Sequence, residues 1–294
     1  MRVLVTGGSG RLGRFAIRDI VDHGHEAINA DRRPPSGADP TGAPAVRYVA
    51  TDLGDVGEVA GALRGCDALL HLGAIPSPYG HADEVVFANN TGATFAALQA
   101  AALLGVRKAV IASSVSAYGT AWAPKPFPLR YAPVDEAHPL LNHDAYGLSK
   151  EVDERTAEMF HRQTGMAVVA LRFHWVALPG EAAVKAAALT ADPDHDAEWR
   201  LLWGYVDARD AAAACRLALE ADGLGFEPFN VIAADTLCDA PTEALIRRHT
   251  PTTELRRPIP GTSSGFSIDK ARRLLGYEPR HGWRDARGGH DDRT

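Results

Sequence analysis

Residues 2–13 read RVLVTGGSGRLG, an apolar run followed at once by a glycine-rich turn. Residues 3–5 are all apolar, as in a buried strand, because parallel strands covered on both faces lose the polar alternation of a half-exposed sheet. At such a strand's end, Gly7, Gly10 and Gly13 allow a tight turn, a close backbone approach to a ligand, and helix-to-strand packing. This stretch predicts a βα unit with a ligand at the turn.

The ligand expected at this turn is a phosphate. A helix predicted over 11–22 begins there, and its N-terminus, with Arg11 and Leu12, directs free N–H groups at an anion. The spacing departs by one residue from the usual dinucleotide pattern, since two residues separate Gly7 from Gly10. An ordinary turn is the alternative interpretation.

A carboxylate further along indicates which dinucleotide would bind. A strand predicted near 26–30 ends at Asp31, about twenty residues past the loop, where an acid grips the adenosine ribose. This carboxylate can accept hydrogen bonds from both ribose hydroxyls and would repel a 2′-phosphate, which favours NAD. Arg32 and Arg33 could attract a 2′-phosphate, so NADP is the less favoured alternative. Asp31 could also be a solvated residue at a strand end.

A second motif, YGLSK at 146–150, supplies groups for proton transfer. Tyr146 and Lys150 are four residues apart and therefore share one face of a helix. A nearby ammonium stabilises a tyrosinate, so Tyr146 can take a proton from an alcohol as hydride leaves, or return one to a ketone. Ser114, at the end of the apolar strand KAVIASS, can hydrogen-bond the substrate oxygen. Such spacing alone is common on surface helices; the loop and the serine together predict hydride transfer.

These motifs, with HLGAI at 71–75 and ASSVSAYG at 112–119, resemble the extended short-chain dehydrogenase/reductase family, also called the NAD-dependent epimerase/dehydratase family. The resemblance covers nearly the whole chain, including SIDKARRLLGYEP at 267–279. It implies an α/β fold with a Rossmann-type doubly wound parallel sheet, a small C-terminal substrate-binding subdomain, and NAD as the cofactor.

The resemblance also implies roles for individual residues. It makes Ser114, and not Ser113 or Ser116, the catalytic serine beside Tyr146 and Lys150, and it makes Tyr118 structural. Asn89 in NNTGAT is taken as the family's catalytic helix asparagine. Asp52 and Leu53 would border the adenine, and Leu72 to Ala74 would line the cofactor. The implied cofactor contacts are Gly7, Gly10, Arg11, Leu12, Gly13, Asp31, Asp52, Leu53, Leu72, Gly73, Ala74, Tyr146 and Lys150.

Seven short apolar runs alternate with helical segments along the chain, which predicts βα units in a parallel sheet. The strands are expected near 2–6, 26–30, 46–50, 67–72, 107–112, 167–173 and 227–232. The predicted division is a mainly NAD-binding Rossmann domain over 1–173, a mixed part over 174–283, and a flexible tail over 284–294. The mixed part combines substrate-binding elements with a late Rossmann strand and helix over 206–232.

Two proline-rich stretches interrupt this pattern. Arg32 to Pro44 predicts a surface loop. Residues 120–143 form a longer insertion between the catalytic serine and tyrosine, and could be either a lid over the site or an inert excursion.

The C-terminal part differs from the sugar-nucleotide members of the family. Those members usually have an asparagine and an arginine that hold the diphosphate, and here Trp175 and Trp203 occupy the two places. Two tryptophans would make a smaller, more apolar pocket that suits a compact sugar or polyol. They could equally fill the interdomain core. Ser116 and His174 complete the candidate substrate contacts.

The residues that follow the catalytic serine bear on the class of reaction. Dehydratases place an Asp-Glu pair after the catalytic residue, and here the pair is Val115-Ser116. This pair argues against dehydration, and the missing diphosphate anchors then favour a dehydrogenase acting on a small sugar-like or polyol substrate over an epimerase, with a partial resemblance to uronate dehydrogenases. A sugar-nucleotide epimerase is the alternative, and a non-catalytic dinucleotide sensor is less favoured because such sensors typically lose the tyrosine and lysine.

Composition limits the partners and the compartment. The 294 residues have a net charge of −6, which argues against nucleic acid or an anionic membrane as the main partner. We expect a cytoplasmic protein, since there is neither a membrane span nor a signal peptide. Scattered Cys66, Cys215 and Cys238 fit reduced thiols. The histidines show no zinc-ligand spacing, so no metal is expected. A homodimer is expected through helices 80–104 and 144–164, where the family commonly forms four-helix contacts.

Overall fold

The centre of the molecule is a sheet of seven parallel strands in the order β10-β7-β5-β4-β1-β2-β3. The computed structural model describes residues 1–35, 46–191 and 195–285. This sheet confirms the predicted α/β fold of Rossmann type, and two short pairs, β6 with β11 and β8 with β9, lie outside it. The strands are β1 (Arg2–Thr6), β2 (Glu26–Asp31), β3 (Arg47–Ala50), β4 (Ala68–His71), β5 (Lys108–Ser114), β6 (Tyr131–Ala132), β7 (Ala167–Phe173), β8 (Val176–Ala177), β9 (Val206–Asp207), β10 (Phe226–Val231) and β11 (Glu254–Leu255).

Helices cover both faces of the sheet. One face packs against the first and sixth helices, and the other against the second, third and fourth. The described residues also form two 3₁₀ turns, Val115–Tyr118 and His195–Leu201. The helices are α1 (Arg11–Asp22), α2 (Val56–Leu63), α3 (Asp83–Leu103), α4 (Ala145–Thr164), α5 (Glu181–Ala191), α6 (Ala208–Glu220), α7 (Thr242–His249) and α8 (Asp269–Leu275).

Strand β1 shows why the apolar runs lack polar alternation. Val3, Leu4 and Val5 are all fully buried. Val3 and Val5 pack into the core on one face of the sheet, and Leu4 packs into the core on the other. Burying each such side chain contributes roughly 1.5–3 kcal/mol to stability. The apolar side chains on both faces of β1 therefore favour its central position in the sheet.

The strand order reverses between β1 and β4, which are neighbours in the sheet although far apart in the chain. In open α/β sheets ligands bind at the carboxyl ends of the strands, in the crevice at such a switch point. Here the carboxyl ends bring together the glycine loop after β1, Asp31 at the end of β2, the segment after β4, and Ser114 at the end of β5. The fold thus assembles most of the predicted site at one edge.

The insertion 120–143 is fastened to the C-terminal part of the chain. Its strand β6 pairs with β11 in parallel, and the Thr253 hydroxyl donates to the Leu129 carbonyl at 2.9 Å. Near its start, the Thr120 hydroxyl donates to the Arg200 carbonyl at 2.7 Å. The segment is therefore held at more than one point along its length.

The chain end departs from the prediction at one residue. Arg284 was expected to begin a free tail, but its guanidinium donates to the Thr236 carbonyl at 3.1 Å and the Cys238 carbonyl at 2.6 Å, and it pairs with Asp235. The buried carbonyls at this position hold it in place. The rest of the predicted tail, from residue 286, and most of the predicted loop from Arg32 to Pro44 lie outside the described residues.

None of the helices in the described ranges combines the length and the apolar character needed to cross a membrane.

Candidate active site

The glycine loop has a geometry that only glycine allows at two positions. Gly7 has φ +68°, and a Cβ there would lie 2.7 Å from the backbone N of Gly73. A Cβ on Gly13 would lie 2.2 Å from the Gly7 carbonyl oxygen. Helix α1 begins after Gly10 and has no side-chain cap among the described residues. Its first N–H groups are therefore available to an anion, as a dinucleotide pyrophosphate requires.

Asp31 lies beside this loop, at the end of β2. Its carboxylate accepts hydrogen bonds from the backbone N–H of Ser9 at 3.3 Å and of Arg33 at 3.4 Å. The Arg32 guanidinium is directed to α3, where it donates to Asn89 Oδ1 at 3.3 Å. The structure thus places the carboxylate against the phosphate loop and gives Arg32 a partner elsewhere.

The predicted adenine edge and the segment after β4 meet. Leu53 packs so closely on Gly73 that a Cβ on this glycine would lie 2.1 Å from Leu53 Cδ1. The backbone N–H of Asp52 donates to Glu58 at 2.6 Å, which fixes the turn before α2. A surface cleft of about 500 Å³ lies here, with Arg32, Asp52 and Glu58 among its lining residues.

On helix α3, Asn90, the neighbour of the expected Asn89, is the asparagine that contacts other elements of the site. Asn90 is buried; it accepts from the backbone N–H of Ile75 at 2.8 Å and donates to the carbonyl of the same residue at 3.1 Å. It also donates to the Ser149 hydroxyl at 3.2 Å. Asn89 is half-buried and contacts Arg32. Helical phase thus turns Asn90, and not Asn89, toward the segment after β4 and toward α4.

The three serines after β5 have distinct environments. The Ser113 hydroxyl donates to buried Glu154 at 2.6 Å. The Ser114 hydroxyl accepts the backbone N–H of Ser116 at 3.0 Å at the start of the 3₁₀ turn. Ser114 therefore retains a hydroxyl proton to offer a substrate oxygen, whereas Ser113 is committed to a carboxylate.

The start of α4 brings Tyr146 next to this turn. The Asp144 carboxylate caps the helix by accepting the Gly147 N–H at 2.7 Å. A Cβ on Gly147 would lie 2.7 Å from the Ser116 carbonyl oxygen, so glycine is what allows the helix to approach the turn. Tyr146 itself is buried, with 7% of its surface exposed.

Lys150 lies one turn further along the same face. Its ammonium is 5.9 Å from the centre of the Tyr146 ring. It donates to the Ala112 carbonyl at 3.0 Å and to the Asp153 carboxylate at 3.1 Å. Burial acts to lower the pKa of Lys150, but the charge of Asp153, followed by that of Tyr146, raises it above the ordinary lysine value. Lys150 therefore stays an ammonium beside the tyrosine.

His71, the first residue of the HLGAI stretch, is a neutral buried histidine. Its Nδ1 hydrogen-bonds the Thr6 hydroxyl at 2.8 Å, and its Nε2 hydrogen-bonds the Thr94 hydroxyl at 3.3 Å. Burial, with a smaller effect of the Lys150 charge, lowers the pKa of His71 to about 3. It joins β1, β4 and α3 without adding a second cation beside Lys150.

Tyr118 belongs to a buried network behind the site, in keeping with the structural role that the resemblance implies. Its hydroxyl donates to Asn230 Oδ1 at 2.8 Å and accepts from Arg172 at 3.0 Å. Arg172 forms a two-point ion pair with Glu154, at 2.8 and 2.7 Å. Burial raises the pKa of Tyr118 far above its usual range, so this phenol stays protonated.

The candidate substrate residues do not form one exposed pocket. Trp203 is fully buried and stands edge-on to His249 at 5.3 Å between ring centres. His174 is buried too; its Nδ1 accepts the Trp175 N–H at 2.7 Å and its Nε2 donates to the Leu201 carbonyl at 3.1 Å. Trp203 and His174 therefore fill the core, which for Trp203 is the alternative that the sequence leaves open. Trp175 is half-buried, with the Lys185 ammonium 4.6 Å from its ring centre.

The sequence interpretation missed two charged residues at the site. Asp153 pairs with Lys150, and Glu181 at the start of α5 pairs with Arg11 of the glycine loop at 2.5 Å. Asp153 could have been found from its spacing, since residues three apart share a helix face. Nothing in the sequence joins Glu181 to Arg11, which is 170 residues away.

Comparison with known proteins identifies the family to which the chain is similar. A model described as the NAD dependent epimerase/dehydratase family matches residues 3–231. Uronate dehydrogenase of Pseudomonas putida is 28% identical over 171 residues, 58% of this chain and 59% of that protein. UDP-glucose 4-epimerase of Azospirillum brasilense is 30% identical over 184 residues, 60% of this chain and 49% of that protein. The chain thus spans about half the length of these curated relatives.

Solved structures agree over a longer stretch. A short-chain dehydrogenase/reductase superfamily protein from Agrobacterium tumefaciens, solved with bound NAD, superposes with a TM-score of 0.70. It is 25% identical, and the match covers 97% of this chain and 94% of that one.

Proposed function

Because the chain belongs to the NAD-dependent epimerase/dehydratase family, we propose that it is an NAD-dependent oxidoreductase that transfers hydride at a carbinol or carbonyl carbon of a small sugar-like or polyol substrate. One observation supports this above all: Tyr146 and Lys150 share a buried helix face that meets the carboxyl end of β5, where Ser114 offers its hydroxyl. These are the groups that proton transfer at an alcohol needs.

The cofactor proposed is NAD, and the site fits it. Gly7 and Gly13 leave no room for side chains, and the uncapped start of α1 offers N–H groups to a pyrophosphate. Asp31 would accept hydrogen bonds from the ribose hydroxyls. NADP is the less favoured alternative, because the Asp31 carboxylate would repel a 2′-phosphate while Arg32 is engaged with Asn89.

The positions of Ser114, Tyr146 and Lys150 indicate a separate role for each in the reaction. NAD, when bound, supplies the acceptor for the hydride. The Ser114 hydroxyl donates a hydrogen bond to the substrate oxygen and holds it beside the Tyr146 phenol. As a tyrosinate, Tyr146 takes the substrate's hydroxyl proton while the hydride leaves and the carbonyl forms; as a phenol, it returns that proton in the reverse direction. The Lys150 ammonium stabilises the negative charge that Tyr146 develops, and Asn90 fixes the segment after β4 against α4.

The substrate proposed is small and lacks a nucleoside diphosphate. Neither the asparagine nor the arginine that family members use to hold a diphosphate is present; Trp175 and Trp203 stand in their places. With Trp203 buried in the core, the half-buried Trp175 is the one of the two tryptophans that could contact the carbon face of a sugar ring. A free sugar, sugar acid or polyol fits such a surface.

A sugar-nucleotide epimerase is the second candidate, favoured by the 30% identity to a UDP-glucose 4-epimerase. Such an enzyme returns the hydride to the opposite face and keeps hold of the nucleotide meanwhile. Calorimetry with UDP and dTDP distinguishes the two functions. We expect binding no tighter than about millimolar, because each missing charge-assisted hydrogen bond is worth roughly 1.5–3 kcal/mol. Micromolar affinity for either nucleotide would favour the epimerase.

We further propose a homodimer through α3 and α4. Several large apolar side chains are exposed on these two helices: Val85, Phe95 and Leu103 on α3, and Leu148 on α4. Exposed apolar side chains of this kind are typical of a protein–protein interface. Sedimentation should then give about twice the 31.4 kDa of one chain. A cytoplasmic location is also proposed; Cys66, Cys215 and Cys238 are free thiols, which suits a reducing compartment.

A further inference from the structure

A buried carboxylate contacts Lys150 directly, and the mechanism given above does not use it. Asp153 lies one turn beyond Lys150 on α4, and its Oδ2 accepts from the ammonium at 3.1 Å. Only 4% of the Lys150 side chain and 1% of the Asp153 side chain is exposed. A buried ion pair of this kind is often no more stabilising than apolar packing, so stability alone does not account for the pair.

The hydrogen bonds of the Lys150 ammonium show how its ion pair with Asp153 fixes the position of the nitrogen. An ammonium has three protons. One goes to the Ala112 carbonyl at 3.0 Å and one to Asp153 at 3.1 Å. These two acceptors, on β5 and α4, fix the nitrogen between strand and helix. The third proton has no acceptor in the described part of the chain, and the Tyr146 ring centre is 5.9 Å from the nitrogen.

The other charged and titratable groups around Lys150 leave Asp153 as its counter-ion. Glu154, next along α4, is held by Arg172 of β7 in the two-point ion pair. From β4, His71 is neutral near pH 7. The remaining neighbour on α4 is the Tyr146 phenol. From α3, the Thr94 hydroxyl faces the Asp153 carboxylate.

We propose that Asp153 is a positioning residue for hydride transfer: its carboxylate keeps the buried Lys150 ammonium charged and fixed between Ala112 and Tyr146. This inference rests on the proposed function only for the role given to Lys150. It assigns to Asp153 no contact with substrate. Without the carboxylate, burial would favour the neutral amine, and the amine could no longer stabilise charge on Tyr146 or donate as an ammonium to the ribose.

The titration of Lys150 tests this directly and needs no substrate. The chain has five lysines, Lys108, Lys125, Lys150, Lys185 and Lys270, so the Cε signals of protein labelled with ¹³C-lysine can be resolved by NMR, and the signal absent from Lys150→Met is that of Lys150. In the native protein this signal should titrate above an ordinary exposed lysine. In Asp153→Asn its midpoint should fall by about one pH unit or more, a tenfold loss of proton affinity.

Two further variants serve as controls for Asp153→Asn. Glu151→Gln removes a carboxylate next to Lys150 in sequence that bonds Asn142 instead, and should leave the Lys150 midpoint unchanged. Asp153→Glu keeps the charge and should restore most of the shift. NAD affinity, measured by calorimetry from pH 7 to 10, should weaken with rising pH in Asp153→Asn and stay level in Glu151→Gln.

The outcomes separate this inference from the proposed function. A Lys150 midpoint that is the same in the native protein and Asp153→Asn overturns the inference, as does a native midpoint below that of an exposed lysine, which requires no variant to fold. Native turnover by Tyr146→Phe would instead overturn the proposed function and leave the titration result standing.

Discussion

Arg11 and Glu181 form an ion pair of 2.5 Å that joins the start of α1, at the phosphate-binding turn, to the start of α5 in the C-terminal part. Glu181 also accepts the backbone N–H of Leu178 at 2.8 Å. The Glu181 carboxylate thus lies beside the turn where the pyrophosphate of a dinucleotide would bind. It forms an ion pair with Arg11, a cation of the same turn.

Removing this carboxylate should strengthen NAD binding. Glu181→Gln keeps an acceptor for Leu178 but frees Arg11 and removes a repulsive charge. Exposed pairs are worth about 0.2–1 kcal/mol, so the dissociation constant measured by calorimetry should fall by a factor between about 1.4 and 5. Glu26→Gln, which breaks a distant surface pair with Arg2, is the matched control. Weaker NAD binding by Glu181→Gln would mean that the ion pair holds the glycine loop in its binding conformation, and that Glu181 does not compete with the pyrophosphate for Arg11.

Cofactor choice should depend on Asp31. The native protein should bind NAD more tightly than NADP, because its carboxylate would repel a 2′-phosphate. Asp31→Ser should narrow or reverse the difference, measured as the ratio of the two dissociation constants. Asp22→Ser, on the surface of α1, should leave the ratio as it is. Equal or tighter NADP binding by the native protein would show that Arg32 and Arg33 dominate.

The ion pair between Arg172 and Glu154 should be important for stability. Glu154→Gln leaves a buried guanidinium without its counter-charge, which typically costs 3–5 kcal/mol. Glu158→Gln, on the same helix, breaks only partly exposed pairs with Arg155 and Arg162, and should cost under about 1 kcal/mol. Urea unfolding measures both. Similar losses in the two variants would contradict the importance given to the buried network.

Two buried histidines should make the fold less stable in acid. Burial lowers the pKa of His71 to about 3 and of His174 to about 4. Between these values and the unfolded value near 6.5, the unfolded chain binds protons that the folded chain does not. Each histidine should therefore lower the unfolding free energy by about 1.4 kcal/mol per pH unit as pH falls through that window. In His174→Gln the slope of unfolding free energy against pH should drop by that amount; an unchanged slope would exclude this cause.

Much of the fold and of the cofactor site could be predicted from the sequence, because local patterns encode them. The apolar run of β1, the glycines at 7 and 13, and the spacing of Tyr146 from Lys150 each impose a constraint that one segment satisfies alone. Phase along a helix was harder: Asn89 and Asn90 are adjacent in NNTGAT, and only the packing of α3 turns Asn90 toward Ile75.

The substrate side was predictable only in part, for a physical reason. Whether a tryptophan lines a pocket or fills a core depends on what packs over it, and Trp203 is covered by residues distant in sequence, such as His249. Likewise the charge partner of Arg11 comes from a helix that begins at Glu181. Contacts of this range leave no periodic or motif signal.

Hydride transfer from a free compound to NAD can be followed as the absorbance of NADH, with a panel of free sugars, sugar acids and polyols and with both the native protein and Tyr146→Phe. The native protein should reduce NAD in a net reaction with at least one of these compounds. Tyr146→Phe should lower turnover by roughly 10²–10⁴-fold, the usual contribution of a positioned acid or base, while its NAD affinity stays nearly native. No NADH from any free compound, or native turnover by Tyr146→Phe, would contradict the account.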